Sequence, residues 1–188
     1  ISGFLEGEDT RATARIFSQL GVRIETPDAQ SLVIHGVGLH GLHASASPFD
    51  CGNAGTGMRL LSGLLCAQAF DSVLTGDASL SQRPMARVIG KLEALGGRIS
   101  AREGNYAPLH IHGGQHLRPV EIDTGVASAQ VKSALMLAAM YAEGESVITE
   151  LRPTRDYTEA MLKSLGWPID YSPGRVRIRG AGRLQAGD

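Results

Sequence analysis

Residues Cys51–Leu65 read Cys-Gly-Asn-Ala-Gly-Thr-Gly-Met-Arg-Leu-Leu-Ser-Gly-Leu-Leu, a glycine-rich turn followed by apolar residues at helical spacing. Glycine permits a tight turn and lets a ligand approach the backbone closely. A helix N-terminus presents unpaired N–H groups and the positive end of the helix dipole, which suit a phosphate or a carboxylate. Arg59 in the first turn is unfavourable for that dipole, so a bound anion explains it better. The alternative is a loop that only begins a buried helix.

The composition limits the classes of protein to which the chain can belong. Its 188 residues are 43% hydrophobic and 20% charged, enough for one sizeable core or two small ones. A net charge of −1 argues against nucleic-acid binding, and no apolar run is long enough to cross a membrane. Cys51 and Cys66 lack the spacing of a metal site, and Ile1–Glu6 lacks the pattern of a signal peptide. We therefore expect reduced thiols and a cytoplasmic protein.

An internal repeat indicates the organisation of the chain. Leu-Gly with isoleucine three positions later ends a predicted helix three times, at Leu20-Gly21, Leu95-Gly96 and Leu165-Gly166. The glycine suits the left-handed residue that caps the end of a helix. An alternating strand that ends in glycine follows each time, at 32–36, 109–113 and 176–180.

Two copies of the repeat extend further upstream. Each has an Asp-X-Gly turn, an apolar helix and a short strand, at 50–52, 57–70 and 72–75 and again at 123–125, 129–142 and 146–149. The first copy begins only at its second strand, residues 1–4, so we expect a chain cut inside the first of three units. The pattern predicts an α/β (α+β) fold of three βαβαββ units, the first incomplete, with buried helices and outward sheets.

Four polar segments interrupt this pattern at corresponding ends of the units: 53–59, 76–84, 127–130 and 153–158. Arg83 precedes a helix that Pro84 is expected to open, and its guanidinium can hold a carboxylate or a phosphate through two hydrogen bonds. A solvated surface arginine is the alternative. Ser128 is a predicted N-cap, and Gln130 offers both a donor and an acceptor. With Arg155 on the same face, the segments predict a site for a small, multiply charged anion.

The histidines and serines give weaker signals. His110 and His112 lie on one face of a predicted strand, but no carboxylate or cysteine accompanies them at ligand spacing. Solvated histidines are the preferred interpretation, and we expect no metal. No serine has the sequence context of a hydrolase nucleophile.

Several ordered motifs resemble the 5-enolpyruvylshikimate-3-phosphate synthase family. The resemblance covers residues 1–188 and is carried by segments 4–9, 52–59, 74–77, 83–85, 128–133 and 154–159. It implies one domain of the enolpyruvyl transferase fold, in which two domains each contain three βαβαββ units. The family transfers the enolpyruvyl group of phosphoenolpyruvate to the 5-hydroxyl of shikimate 3-phosphate, releases phosphate and uses no cofactor.

The resemblance also implies binding residues. Those for shikimate 3-phosphate are Ser128, Ala129, Gln130, Thr154, Arg155 and Tyr157. Those for phosphoenolpyruvate are Asn53, Gly55, Arg83 and Gln130. Glycine at position 55, where alanine would reduce glyphosate binding, implies glyphosate as an inhibitor.

The rest of the family's machinery is expected outside the chain. Its Lys-Ser…Arg motif belongs to the opening strand and helix of the first unit, and its acid/base carboxylates belong to a second domain. We expect residues 1–180 to form one domain and 181–188 to begin the connection to the second. The chain alone is then expected to bind part of a substrate and to catalyse no reaction.

Two other functions remain open from the sequence. One is UDP-N-acetylglucosamine enolpyruvyl transferase, although the Ser-Ala-Gln and Arg-Pro-Met contexts favour the first family. The other is a non-catalytic module that binds a regulatory anion.

Overall fold

The computed structural model describes residues 1–185, and its elements follow the predicted repeat. The first unit contributes α1 (Glu8–Gln19), β1 (Arg23–Asp28) and β2 (Ser31–His35). The second contributes β3 (Phe49–Asp50), α2 (Gly55–Leu65), β4 (Ser72–Thr75), α3 (Ala86–Ala94), β5 (Arg98–Arg102) and β6 (Tyr106–His112). The third contributes β7 (Glu121–Asp123), α4 (Ala129–Ala139), β8 (Glu145–Thr149), α5 (Tyr157–Ser164), β9 (Ile169–Ser172) and β10 (Arg175–Arg179).

The two complete units have the same sheet topology. Their strand orders are β3-β4-β6-β5 and β7-β8-β10-β9, with the first pair parallel and the other pairs antiparallel. The first unit contributes only the antiparallel hairpin β1–β2. Strands β6 and β10 alternate between buried and exposed residues, as expected for a sheet with one face on the core and the other in solvent. The predicted fold class is confirmed.

The predicted strand at residues 1–4 is wrong in its extent. Only one bridge forms, between Ser2 and Ser31. The Leu32 N–H donates to the Ile1 carbonyl at 2.9 Å, so the segment still lies antiparallel to β2, as β4 lies beside β6. Gly3 has φ of 67°, which interrupts the extended backbone that a strand requires.

The helix ends agree with the predicted glycine caps. Gly21, Gly96 and Gly166 have φ of 91°, 100° and 73°, so each adopts the left-handed conformation that ends a helix. The predicted helices 57–70 and 129–142 are shorter in the structure and end at Leu65 and Ala139. After α2, the Gln68 side chain donates to the Leu64 carbonyl at 3.0 Å and so satisfies a carbonyl at the helix end.

The start of α3 corrects a sequence prediction. Pro84 does not occupy its first position, because the helix begins at Ala86 with Met85 as the N-cap residue. The Asn105 Oδ1 atom accepts the Met85 N–H at 3.0 Å and the Ala86 N–H at 2.7 Å. A residue on the neighbouring β5–β6 turn therefore caps this helix.

Helices α2 and α4 form the centre of the core. A Cβ atom on Gly63 would lie 2.1 Å from the Ala134 carbonyl oxygen, so only glycine allows the two backbones to approach this closely. Leu61, Leu65 and Leu135 are buried as predicted. Leu137, predicted to be buried, is only half-buried.

Leu137 lines an apolar cavity of about 410 Å³ between α1, α2 and α4. The cavity explains why this residue is only partly covered.

The chain after β10 packs against the domain as far as it is described. The Ala181 N–H donates to the Met140 carbonyl at 3.1 Å, and the Gln185 N–H donates to the Leu165 carbonyl at 2.8 Å. Residues 186–188 lie outside the described residues, so the boundary at residue 180 and the connection at 181–188 stay predictions. Within residues 1–185, no helix is long and apolar enough to cross a membrane.

Candidate anion-binding site

The N-terminus of α2 is open to a ligand. The Asp50 carboxylate accepts the Gly52 N–H at 2.8 Å, and Gly52 has φ of 55°, so the turn before the helix has the left-handed residue that it needs. Ala54 is the N-cap residue and supplies no side-chain hydrogen bond. The first N–H groups of α2 are therefore not satisfied by a capping side chain, as an anion site requires.

Two guanidinium groups converge on the first residue of this helix. A Cβ atom on Gly55 would lie 3.1 Å from the Arg59 Nη1 atom and 3.1 Å from the Arg83 Nη1 atom. Burial, followed by the charges of Arg83 and Arg87, lowers the pKa of Arg59. Among residues 1–185, no carboxylate lies within 4.0 Å of the Arg59 or Arg83 guanidinium. An anionic ligand would relieve the repulsion between these groups.

Asn53 holds Arg83 in place. The Arg83 Nη2 atom donates to the Asn53 Oδ1 atom, and the Asn53 amide donates to the Asp77 carboxylate at 2.7 Å. The Leu80 N–H donates to the same carboxylate at 2.7 Å. These hydrogen bonds, first from Leu80 and then from Asn53, lower the pKa of Asp77. Asn53 therefore separates Arg83 from the nearest carboxylate and leaves the rest of the guanidinium available to a ligand.

Gln130 joins the N-termini of α2 and α4. Its Oε1 atom accepts from the Arg59 Nη1 atom at 3.0 Å, and its Nε2 atom donates to the Thr56 hydroxyl at 2.9 Å. Arg59 also donates to the Gly55 carbonyl at 3.0 Å and to the Pro84 carbonyl at 3.3 Å. The two arginines, the α2 N-terminus and Gln130 thus form one connected group.

A second concavity lies on the other side of Gln130. It has a volume of about 280 Å³, and its lining residues come from α2, α4, α5 and the segment just before α5: Thr56, Leu60, Ala129, Gln130, Ser133, Arg155, Tyr157 and Thr158. The Arg155 guanidinium lies 5.9 Å from the centre of the Tyr157 ring, and both side chains are exposed. The structure therefore brings Ala129, Gln130, Arg155 and Tyr157 together around one cavity.

Two predicted site residues have intramolecular hydrogen bonds of their own. The Ser128 hydroxyl accepts the Val131 N–H at 3.4 Å, so the predicted N-cap is confirmed. The Thr154 hydroxyl donates to the buried carboxylate of Glu150. Contact of Ser128 or Thr154 with a substrate stays a prediction.

Part of this group is not predicted from the sequence. Arg59 is unusual in the sequence but belongs to no predicted set of binding residues, and neither Thr56 nor Asp77 is a predicted binding residue. A basic residue in a first helical turn was the one usable signal. The partners of Arg59 lie up to 71 positions away, beyond the reach of a local pattern.

The cysteines and histidines stay outside the site. Burial raises the pKa of Cys51 and of Cys66 to about 12, and neither forms a disulfide. The His112 ring contacts the Ser100 hydroxyl at 3.0 Å across β5 and β6. In the described part of the chain, no three His, Cys, Asp or Glu side chains are grouped in a way that could hold a metal ion.

Comparison with known proteins shows the family of the chain. The family model for EPSP synthase (3-phosphoshikimate 1-carboxyvinyltransferase) matches residues 1–188. The chain is 60% identical over 188 residues to a 3-phosphoshikimate 1-carboxyvinyltransferase of Xanthomonas euvesicatoria pv. vesicatoria, covering 100% of this chain and 43% of that relative. Identity and coverage are the same for the protein of that name from Xanthomonas axonopodis pv. citri.

A solved structure agrees in both fold and sequence. EPSP synthase from Acinetobacter baumannii superposes with a TM-score of 0.95 and 49% identity, covering 98% of this chain and 42% of that one. The chain therefore spans less than half the length of the relatives that it matches. On the family model, the sequence identity and the fold, the chain belongs to the EPSP synthase family.

Proposed function

We propose that this chain is the shikimate 3-phosphate-binding part of an enolpyruvyl transferase. The complete enzyme would transfer the enolpyruvyl group of phosphoenolpyruvate to the 5-hydroxyl of shikimate 3-phosphate and release phosphate. The name of the relatives, 3-phosphoshikimate 1-carboxyvinyltransferase, supports this reaction. Because the chain covers 43% of those relatives, we propose the reaction for a protein of their full length and not for the chain alone.

The position of Gln130 between two cationic groups is the observation that carries the proposal. On one side, Arg59 and Arg83 meet at Gly55 without a carboxylate within 4.0 Å in the described part of the chain. On the other side, Arg155 lines the 280 Å³ cavity. Two anionic molecules bound on either side of Gln130 would lie next to each other, as a transfer reaction between them requires.

We assign the two substrates to these two sides. Phosphoenolpyruvate would bind at Asn53, Gly55 and Arg83, where the α2 N-terminus adds its dipole. Shikimate 3-phosphate would bind in the cavity, held by four of its lining residues and by two residues next to them in the sequence: Ala129, Gln130, Arg155 and Tyr157, with Ser128 and Thr154. The chain's own residues would bind and orient the substrates.

Proton transfer is assigned to parts of a longer protein. Electrostatic stabilisation of the transition state is strong only where water is excluded, and this site is open to solvent. A second domain that closes over the open face would exclude water. We therefore propose a missing second domain of the same protein as the partner.

Two further properties follow from this proposal. Glyphosate would compete with phosphoenolpyruvate at Gly55 and Arg83, so adding glyphosate should weaken phosphoenolpyruvate binding.

The buried thiols of Cys51 and Cys66, which form no disulfide, support a cytoplasmic location.

Ligand binding by the chain tests the proposal. In calorimetry, shikimate 3-phosphate should bind weakly, and Arg155→Gln should weaken it further by about tenfold, as loss of a charged hydrogen bond predicts. Arg98→Gln is the matched control, because Arg98 is an exposed arginine on the outer strand β5. UDP-N-acetylglucosamine is the discriminating ligand. If it raised the melting temperature while shikimate 3-phosphate did not, the other enolpyruvyl transferase would be the better assignment.

Turnover is the second arm of this test. The chain alone should release no phosphate from the two substrates, and release should appear when the missing segments of a relative are added in trans. Phosphate release by the 188-residue chain alone would contradict the proposal.

A further inference from the structure

Three ionisable side chains lie buried together near the candidate site. The Lys132 Nζ atom is 2.9 Å from the Glu150 Oε2 atom and 2.6 Å from the Glu159 Oε1 atom. The lysine side chain is 2% exposed, and the two carboxylate side chains are 1% and 2% exposed. We refer to Lys132, Glu150 and Glu159 as the Lys132 cluster. Its members come from α4, from the residue after β8 and from α5.

Stability alone does not account for this cluster. Removing charges from water is costly, and well-packed apolar side chains of the same volume often stabilise a protein equally well. The cluster also has two carboxylates for one ammonium group, and the Glu159 Oε2 atom has no hydrogen-bond partner within residues 1–185. The second carboxylate therefore needs an explanation beyond neutralising Lys132.

Glu150 supplies that explanation through its other contacts. Its Oε1 atom accepts from the Thr154 hydroxyl, and its Oε2 atom accepts from the Thr154 N–H at 3.4 Å. The Glu150 N–H in turn donates to the Gly174 carbonyl at 2.9 Å. Segment 151–156 leaves β8 and returns to α5, and the Glu150 carboxylate holds it shortly before Arg155.

Helix α4 connects this contact to the rest of the site. The helix carries Gln130 in its first turn and Lys132 immediately behind it, and the Ser133 hydroxyl contacts the Thr158 hydroxyl at 2.8 Å. Because Lys132 contacts Glu150, the position of segment 151–156 is set relative to Gln130. Arg155 and Gln130 line the same cavity.

We propose that Glu150, held by Lys132, is a positioning residue that fixes segment 151–156 so that Arg155 faces the anion bound beside Gln130. The proposal rests on the assignment of the cavity to shikimate 3-phosphate made above. Glu150 does not line the cavity, so it acts through Thr154 and Arg155.

The two glutamates provide a matched pair of variants. Glu150→Gln and Glu159→Gln each remove one buried carboxylate beside Lys132 and leave one ammonium with one carboxylate. A glutamine side chain is uncharged and has one acceptor oxygen instead of two, so at position 150 an NH2 group must replace one of the oxygens that face Lys132 and Thr154. Of the two glutamates, only Glu150 hydrogen-bonds to segment 151–156 in the part of the chain that the structure describes. A purely structural role predicts similar effects in the two variants.

Calorimetry with shikimate 3-phosphate is the first readout. Glu150→Gln should weaken binding at least about fivefold, as loss of a charged hydrogen bond predicts, and Glu159→Gln should leave it within about twofold. In an Arg155→Gln background, the effect of Glu150→Gln should disappear, because the residue through which it acts is gone. Equal losses in the two single variants, or full additivity with Arg155→Gln, would overturn the proposal.

Hydrogen exchange without ligand is the second readout. The amides of Thr154, Arg155 and Asp156 should exchange faster in Glu150→Gln than in the parent chain or in Glu159→Gln. Unchanged exchange in Glu150→Gln would overturn the positioning role, whatever the ligand data show. Faster exchange in a chain that binds no shikimate 3-phosphate would support the positioning of the segment and contradict the proposed function instead.

Discussion

The N-termini of α2 and α4 have the same turn geometry but differ in how the charge of a basic residue near each one is balanced. Before each helix, an aspartate carboxylate accepts the N–H of a left-handed glycine: Asp50 with Gly52 at 2.8 Å and Asp123 with Gly125 at 2.6 Å. Seven residues after each of these glycines lies a basic residue, Arg59 in α2 and Lys132 in α4. The repeat therefore places these two cations at equivalent positions.

The two cations differ in how their charge is balanced. Lys132 is fully buried between two carboxylates, whereas Arg59 hydrogen-bonds to two carbonyls and an amide oxygen and lies beside other arginines. Burial alone would lower the pKa of Lys132, but the hydrogen bonds to Glu159 and Glu150 hold it above its ordinary value. At this repeat position, Lys132 forms ion pairs inside the protein, whereas Arg59 keeps a positive charge that a ligand can neutralise.

Removing the two equivalent cations should have very different effects on stability. Lys132→Met leaves two carboxylates buried without a cation, so we expect a loss of about 3–5 kcal/mol in the free energy of unfolding. Arg59→Met removes hydrogen bonds at a half-buried site and relieves repulsion, so the loss should stay below about 1.5 kcal/mol. Urea denaturation measures both. Equal losses in the free energy of unfolding would show that the two cations do not differ in their contribution to stability.

Arg83→Lys should affect catalysis much more than stability. The lysine keeps the charge but loses the planar, two-pronged geometry, so kcat/KM should fall by about 100-fold, or about 2.7 kcal/mol. The measurement requires a protein completed to the length of the relatives, with the melting temperature as the control. Unchanged kinetics would remove Arg83 from the site and break its assignment to phosphoenolpyruvate.

Gly55→Ala tests the same group of arginines at the α2 N-terminus and should have a smaller effect than Arg83→Lys. The new Cβ atom would lie 3.1 Å from the guanidinium ends of Arg59 and Arg83, which are flexible and can move by a few tenths of an ångström. We expect phosphoenolpyruvate binding to weaken by about 1 kcal/mol, or about fivefold, with little loss of stability. Calorimetry on the same completed protein gives the affinity. Tighter binding in the variant would show that the arginines do not contact the ligand.

The smallest expected effect is on the protonation of Asp77. Its pKa is lowered, so its stabilising contribution is fully present above its ordinary pKa and is lost as the pH falls through the lowered value. Asn53→Ala removes one of its hydrogen bonds and should raise the pKa towards the ordinary value. Carboxyl carbon shifts recorded against pH measure this, with Asn105→Ala at the α3 cap as the control. A pKa that stays the same in Asn53→Ala would contradict the proposed link from Asp77 through Asn53 to Arg83.

Local sequence signals predicted most of the fold. The three Leu-Gly caps, strand β4 and the two complete units follow from spacing and from residues with distinct backbone preferences. Two predictions were wrong, one because a distant residue decides the local structure and one because of the backbone conformation of the segment itself. Asn105 caps α3 in place of Pro84, and Gly3 breaks the strand expected at residues 1–4.

The candidate site was predictable only in part. Gln130, Arg83 and Arg155 stand out because they interrupt apolar patterns at corresponding unit ends. The contact of Arg59 with Gln130 joins two units, and that of Lys132 with Glu150 joins a helix to the end of a strand. Such contacts depend on how elements pack, which no single segment encodes.

Titrating isotope-labelled chain with shikimate 3-phosphate tests directly whether this ligand binds in the cavity beside Gln130. Amide signals at residues 128–130 and 154–157 should shift first and saturably, because the ligand enters the cavity between α4 and α5. Signals on the outer sheets, such as those of β5 and β9, should stay unchanged. Shifts that begin on those strands, or no saturable shift at 128–130 and 154–157, would show that shikimate 3-phosphate does not bind in this cavity.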